Sequence, residues 1–183
     1  MNTKICLHFL CERALPLSEG DIMNNAINLN DSLLRYSSGI KGKEKMVATF
    51  SCLLFGESST LFHIGNTRIY SIQGNYLKQL TTDHTTYNYL KFRGLYEEAE
   101  HCNKSELVSC FGGGTNRVFD PESEITNVRK AVMTSDGIHD YVDIDIMEDI
   151  VCSEKSNAEK CDDIFNIALN SGSCDDMSIV IVW

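Results

Sequence analysis

Proline is scarce in this chain, with two residues in 183, and tryptophan occurs once. So little proline, with no biased tract or internal repeat, leaves no place for a proline-rich linker and argues against a disordered chain. No apolar run approaches the roughly 20 residues of a membrane-spanning helix. The amino-terminal residues lack the charged start, long apolar stretch and small-residue cleavage site of a secretory signal. The eight cysteines are therefore read as free cytosolic thiols rather than a disulfide framework. No CxxC pair and no Cys/His spacing of a zinc site occurs, so Cys6, Cys11, Cys52, Cys102, Cys110, Cys152, Cys161 and Cys174 are expected to be small core or surface residues. Basic residues are also few: 16 Lys and Arg stand against 26 Asp and Glu, for a formal net charge of -10 and a pI near 4.9. That balance argues against nucleic acid or an anionic membrane as the main partner. The densest basic stretch, 41–45, reads as a solvated loop between a helix and a strand.

What is present describes an ordinary globular protein, 43% hydrophobic and 23% charged. The length suits one domain, 1–183, with a sizeable core. Residues 5–11 are apolar without a clear period and read as a buried helix or a strand. Ser18 followed by Asp21 gives a capping signature, and Ile22, Ala26, Leu29 and Leu33 recur at helical spacing as far as Tyr36. On that amphipathic helix Asn24, Asn25 and Asn28 are expected on the outer face. From Met46 the pattern turns to short β-rich runs at 47–55, 60–64, 68–72 and 76–80, separated by Gly- and Asn-containing turns, which predicts an antiparallel meander. A helix is expected over 85–93, then a polar loop over 94–105. The Gly112-Gly113-Gly114 tract lacks the Gly-Lys-Ser/Thr ending of a phosphate loop and reads as a flexible turn. A strand at 129–134, helices at 144–151 and 157–169, and a buried strand at 177–183 complete an α+β layered fold.

Two acidic turns stand out. Ala131, Val132 and Met133 run into Thr134-Ser135-Asp136-Gly137, and Gly172-Ser173-Cys174-Asp175-Asp176 runs out into Ile179–Val182. Each puts a carboxylate where an apolar strand meets a loop, so rigid strands would hold Asp136 and Asp175 together as an oxygen-rich site suited to Mg²⁺ or Mn²⁺. Asp is also favoured in turns for its local backbone hydrogen bonds, which is the plain structural explanation of either turn alone.

The order of several segments adds to this. Phe62-His63-Ile64-Gly65-Asn66-Thr67-Arg68-Ile69-Tyr70 is followed by Leu80-Thr81-Thr82-Asp83-His84-Thr85, then Thr134-Ser135-Asp136-Gly137, then Ser173-Cys174-Asp175-Asp176-Met177-Ser178. This ordered set resembles the metal-dependent protein phosphatases of the phosphatase 2C type. In that family a Gly-Asp-Ser-Arg turn resembles Gly65-Asn66-Thr67-Arg68, and a Thr-x-Asp-His stretch resembles Thr81-Thr82-Asp83-His84. The Ser-Asp-Gly and final Asp-Asp-x-Thr patterns resemble Ser135-Asp136-Gly137 and Asp175-Asp176-Met177-Ser178. The resemblance covers roughly residues 22–183.

The resemblance implies an antiparallel β-sandwich flanked by helices with metal at one end. It implies that Asp136 and Asp175 ligate Mn²⁺ or Mg²⁺, and that a metal-bound water attacks a phosphoserine or phosphothreonine. Asp83 would stand near a third, weaker metal, with an N-cap for the helix at Thr85 as its alternative role. Asp140 and Asp176 would act through water or hold the turns.

The family's Arg that grips phosphate, its Glu-Asp pair and its Asp-Gly-x-Gly-Gly-His motif do not occur in this sequence. Aligning the 22–36 helix with the family puts that motif just upstream of Met1. The expectation is therefore a phosphatase 2C-like domain missing its first strands, acting on a phosphoprotein substrate. The alternative is a non-catalytic pseudophosphatase that binds a regulatory protein. Unpaired sheet edges would then be covered by a partner or by the missing segment.

Overall fold

A computed structural model describes residues 19–40, 46–55, 57–113 and 117–183. The 5–11 segment, the Ser18 capping signature, the basic stretch, Cys6, Cys11 and Gly114 lie outside the described residues.

The first described element, α1 (Glu19–Ser38), buries Ile22, Ala26 and Leu29 as their spacing requires. Asn25 is buried as well, contrary to the expectation of an outer-face residue, and so is Asn30. The Asn30 side-chain oxygen accepts the Gly112 N–H at 2.8 Å, which satisfies a buried backbone donor and fastens the helix to the sheet beside it.

The predicted β-rich runs become β1 (Val47–Ala48), β2 (Phe50–Leu54), β3 (Ser59–Ile64), β4 (Arg68–Gln73) and β5 (Tyr76–Gln79). They do not form one meander. Strand β2 pairs with β3, whereas β4 pairs with β5 in a different sheet, so the Gly65-Asn66-Thr67 turn crosses from one sheet to the other. Gly65 allows the crossing: its φ is +109°, and a Cβ there would fall on the Thr49 side chain.

Two short helices follow, α2 (Thr86–Phe92) and α3 (Tyr96–His101), the second inside the expected polar loop. The N-cap of α2 is Thr85, whose hydroxyl accepts from Asn88 N–H, so Asp83 does not serve that end. Strand β6 (Phe111–Gly112) pairs with β1, and β7 (Glu122–Thr126), which no sequence pattern announced, pairs with β3. Glu122 and Glu124 alternate with Ser123 and Ile125, and Ile125 is exposed, so β7 carries no apolar run.

Strand β8 (Ala131–Thr134) leads into α4 (Asp136–His139). Helices α5 (Ile144–Val151) and α6 (Asn157–Asn170) follow, the latter opened by a Ser156–Glu159 capping box. Strand β9 (Ile179–Val182) closes the four-stranded sheet in the order β5-β4-β8-β9, while the three-stranded sheet runs β2-β3-β7. The last strand was expected to be buried. It lies at the end of the sheet order instead, with Val180 51% exposed.

Period-2 alternation then sorts the sheets into layers. Phe50, Cys52, Phe62 and Ile64 pack on α1, and Tyr70, Val132, Ile179 and Ile181 pack with residues of α5 and α6. Ser51, His63, Met133 and Val180 occupy the intervening positions, on the opposite faces of the two sheets. The result, among the described residues, is the expected α+β architecture: a three-stranded and a four-stranded antiparallel sheet, with the short β1–β6 pair, flanked by helices.

Candidate active site

Strands β8 and β9 are adjacent and antiparallel, with Thr134 opposite Ile179. Asp136 and Asp175 are therefore delivered to the same end of one sheet. The loops beyond the strands are locked to each other. Ser135 N–H donates to Ser178 O at 3.0 Å, and Ser178 N–H donates to the Ser135 hydroxyl at 2.9 Å. The Ser135 hydroxyl donates to Asp176 O at 3.1 Å, and the buried Ser173 hydroxyl donates to Gly137 O at 2.8 Å. Gly137 is needed for this approach, because a Cβ there would lie 2.7 Å from Asp176 O.

Asp136 sits in the first turn of α4. Its Oδ1 accepts the Gly137 N–H at 3.0 Å and its Oδ2 accepts the Asn66 side-chain amide at 2.8 Å. Asp175 Oδ1 accepts the Asp176 N–H at 2.8 Å. A carboxylate offers about four lone pairs, so both groups keep acceptor capacity toward the cleft. Asp140, one turn after Asp136, is exposed, with 45% of its side-chain surface accessible. Partial desolvation pushes its carboxyl above the usual range, and the nearby charges of Asp136, Asp83 and Asp175 push the same way against Arg68.

Asp136 and Asp175 line a cleft of about 520 Å³ together with Asn66, Thr67, Arg68 and Asp176. Ala48, Phe50, Met133 and Val180 supply much of its apolar wall. Arg68 is spent on Asp83: Nε donates to Oδ1 at 3.0 Å and Nη2 to Oδ2 at 2.7 Å, a bidentate pair in which Asp83 is buried. Burial opposes the Arg68 charge, but the hydrogen bonds and field of Asp83 outweigh it and raise the guanidinium pKa.

Two histidines near this end are held neutral. Burial lowers His139 to about 4, with Arg68 adding repulsion, and its Nδ1 lies 2.9 Å from the Thr134 hydroxyl. Burial lowers His63 to about 4 as well, helped by His84, whose ring centroid lies 4.7 Å away. The His84 ring accepts Gly65 N–H at Nδ1 (3.3 Å) and places Nε2 3.3 Å from Glu122. The thiols of Cys52, Cys102, Cys110, Cys152, Cys161 and Cys174 are free.

The sequence pattern singled out Asp136, Asp175 and Asp83 as candidates, and the fold puts the first two in one cleft and the third against Arg68. Asn66 as the hydrogen-bond partner of Asp136 was not foreseen. Its position in the Gly65-Asn66-Thr67-Arg68 turn, where the resembling pattern has an acid, was the available signal.

Among the described residues no group of three or more His, Cys, Asp or Glu side chains converges as a metal-holding cluster. The donor set at the two turns is hard oxygen from two carboxylates, which fits one small divalent cation that keeps several waters. It does not fit a closely spaced pair, because two cations repel without a shared anion between them.

No protein-family model matches the chain. Its fold is that of the type 2C serine/threonine phosphatases. The structure superimposes on the Staphylococcus aureus serine/threonine phosphatase Stp1 with a TM-score of 0.81 at 24% identity, covering 98% of this chain and 73% of that one. It superimposes on the Mycobacterium tuberculosis phosphatase PstP/Ppp with a TM-score of 0.77 at 23% identity, covering 88% and 70%. The catalytic domain of PstP in complex with two manganese ions gives 0.75 at 20% identity, covering 96% and 75%.

In sequence the chain resembles the serine/threonine phosphatase stp of Listeria welshimeri, 26% identical over 159 residues that make up 84% of this chain and 63% of the relative. The protein phosphatase PhpP of Streptococcus pneumoniae is 27% identical over 143 residues, 75% of this chain and 58% of the relative. The chain thus spans less than two thirds of the length of these curated relatives. Among the described residues no helix is long and apolar enough to cross a membrane.

Proposed function

We propose that this chain belongs to the metal-dependent protein phosphatases of the 2C type and that its cleft hydrolyses phosphoserine and phosphothreonine in proteins. The observation that carries this reading is the locking of the two acidic turns, which sets Asp136 and Asp175 on one cleft wall in a phosphatase fold. We assign Asp136 and Asp175 as ligands of one Mn²⁺ or Mg²⁺. Such a cation supplies a bound water of lowered pKa as the nucleophile toward phosphorus.

The chain's own residues position this chemistry. Gly137 N–H and the Asn66 amide orient Asp136, the Asp176 N–H orients Asp175, and Asp83 braces Arg68 in place of a role at a third metal. The test is hydrolysis of p-nitrophenyl phosphate and of a phosphothreonine peptide with Mn²⁺. Turnover that disappears in Asp136→Asn and Asp175→Asn supports the reading, and turnover indifferent to both substitutions sinks the site.

A second reading, a non-catalytic module that binds a phosphoprotein or regulatory partner, is favoured by Asn66. A neutral amide occupies the place of an acid and hydrogen-bonds the carboxylate that a metal would otherwise claim. Manganese binding without turnover would select it. In either case we propose that a partner strand or a further segment covers the sheet ends at β2 and β9, where Val180 and Trp183 are half exposed. A stable, dispersed monomer on size exclusion would count against that cover. The free thiols fit a cytoplasmic location, which cell fractionation tests.

A further inference from the structure

His84 grips Gly65 on both sides. Its backbone N–H donates to Gly65 O at 2.8 Å, and its ring Nδ1 accepts the Gly65 N–H at 3.3 Å. A backbone N–H only donates, so Nδ1 presents its lone pair and the ring proton lies on Nε2. The Glu122 carboxylate, 3.3 Å from Nε2, accepts that proton, and the bond holds the Glu122 carboxyl below its usual range. Pairing of β3 with β7 sets Glu122 opposite His63, whose ring packs on that of His84, so the imidazole is held from two sides. The His84 side chain is only 10% exposed, which shields its bond to Gly65 from competing water. Gly65 is where the chain crosses between the sheets, and Asn66 follows it. With both peptide groups of Gly65 fixed, the backbone that carries Asn66 is fixed too. The Asn66 side chain is buried, and among the described residues its hydrogen bond is to Asp136 Oδ2 alone.

We propose that His84, steadied by Glu122, is a positioning residue that holds the Asn66 amide on Asp136 and, given Asp136 as a metal ligand, thereby weakens cation binding there. The amide places a positively polarised N–H on Oδ2, where a cation would approach that oxygen. A cation must push it aside, and the grip on Gly65 makes the amide harder to move. Gly137 N–H holds Oδ1 independently, so Asp136 keeps its aim when the amide leaves. Loosening the grip therefore favours the metal. Strand β7, none of whose residues lines the cleft, acts on the site through this one imidazole.

The test is calorimetric titration of Mn²⁺ into the whole chain and its variants, with circular dichroism melting to check that each folds. His84→Phe keeps a ring against His63 but offers Gly65 no acceptor, and Glu122→Ala, at an exposed position, frees the imidazole. Mn²⁺ should bind about fivefold tighter in the first, the worth of roughly one hydrogen bond, and about twofold tighter in the second. His84→Asn restores an acceptor oxygen close to the place of Nδ1 and should return the affinity to that of the unmodified chain. In an Asn66→Ala background His84→Phe should change nothing further, because the amide through which it acts is gone. Unchanged or weaker binding in a folded His84→Phe protein, or equal tightening with and without Asn66, would overturn the proposal. A metal-free readout separates it from the ligand assignment of Asp136. The Asn66 side-chain amide signals in nitrogen-15 NMR, identified by their loss in Asn66→Ala, should shift in His84→Phe and return in His84→Asn. Absence of Mn²⁺ binding in every protein would sink the ligand assignment and the effect on affinity with it, whereas amide signals indifferent to His84→Phe would sink the positioning role itself.

Discussion

The Asn66 side-chain amide donates to Asp136 Oδ2 at 2.8 Å, so the side chain bonded to that carboxylate oxygen is a neutral donor and not a second carboxylate. The amide fills part of the space in which a cation would gather ligands, and it must be displaced or tolerated when one binds. Replacing it by an acid adds a ligand and removes the competing bond. Asn66→Asp should tighten Mn²⁺ binding about tenfold in calorimetric titration, whereas Asp136→Asn and Asp175→Asn should each remove measurable binding. Equal affinity in all four proteins would place the cation elsewhere.

Gly137→Ala tests whether the two acidic turns act as one body. The added methyl would lie 2.7 Å from Asp176 O and 3.2 Å from Met177 Cγ, and the first of these is backbone. Overpacking of this kind costs about 1–3 kcal/mol, read as a lower urea midpoint. The variant should also lose Mn²⁺ affinity although every carboxylate remains. Unchanged binding would mean that the spacing of Asp136 and Asp175 is immaterial.

Asp83→Asn separates the bracing role of Asp83 from metal binding. With Asp83 neutral, Arg68 keeps a half-buried charge without its bidentate partner. The loss should be about 2–3 kcal/mol by urea unfolding, below the range for a fully buried pair because the Arg68 side chain is 26% exposed. Mn²⁺ affinity per folded molecule should stay within about twofold. A large loss of affinity with normal stability would reverse the assignment.

Stability should fall as pH drops below neutrality. His63 and His139 are each lowered from 6.5 to about 4 in the folded state by burial. Between those values the unfolded chain binds protons that the folded chain refuses, so unfolding gains with acid. The contribution is complete above pH 6.5 and is lost progressively down to about 4. From pH 7.5 to 5.5 the two groups together cost about 2–3 kcal/mol. His63→Gln should roughly halve that slope in urea titrations at several pH values, and an unchanged slope would mean that His63 is not buried neutral.

Much of the fold was legible because local signals and tertiary packing agree. Ile22, Ala26 and Leu29 mark α1 by spacing alone, and the strand at 131–134 is announced by its apolar run. Two features escaped for physical reasons. Strand β7 is held by pairing with β3 while facing solvent, so Glu122 and Glu124 give no apolar pattern. The splitting of the meander depends on which sheet receives β4, and nothing in the short turn at Gly65 distinguishes a crossing from a hairpin. In the site, the two acidic turns could be read from sequence because each follows or precedes an apolar strand. Asn25, Asn30 and the Ser51–His63 pair could not, because a polar side chain that finds its partner inside the fold looks in sequence like one facing water.

The pairing of β8 with β9 also determines where this protein can change freely. Asp136 and Asp175 hang from neighbouring strands, and ladder hydrogen bonds fix their separation whatever the length of chain between them. The link 153–155 joins α5 to α6 away from both acids. Insertions there would lengthen the chain without moving either carboxylate, whereas a one-residue slip in the β8–β9 register would carry Asp175 out of reach of Asp136.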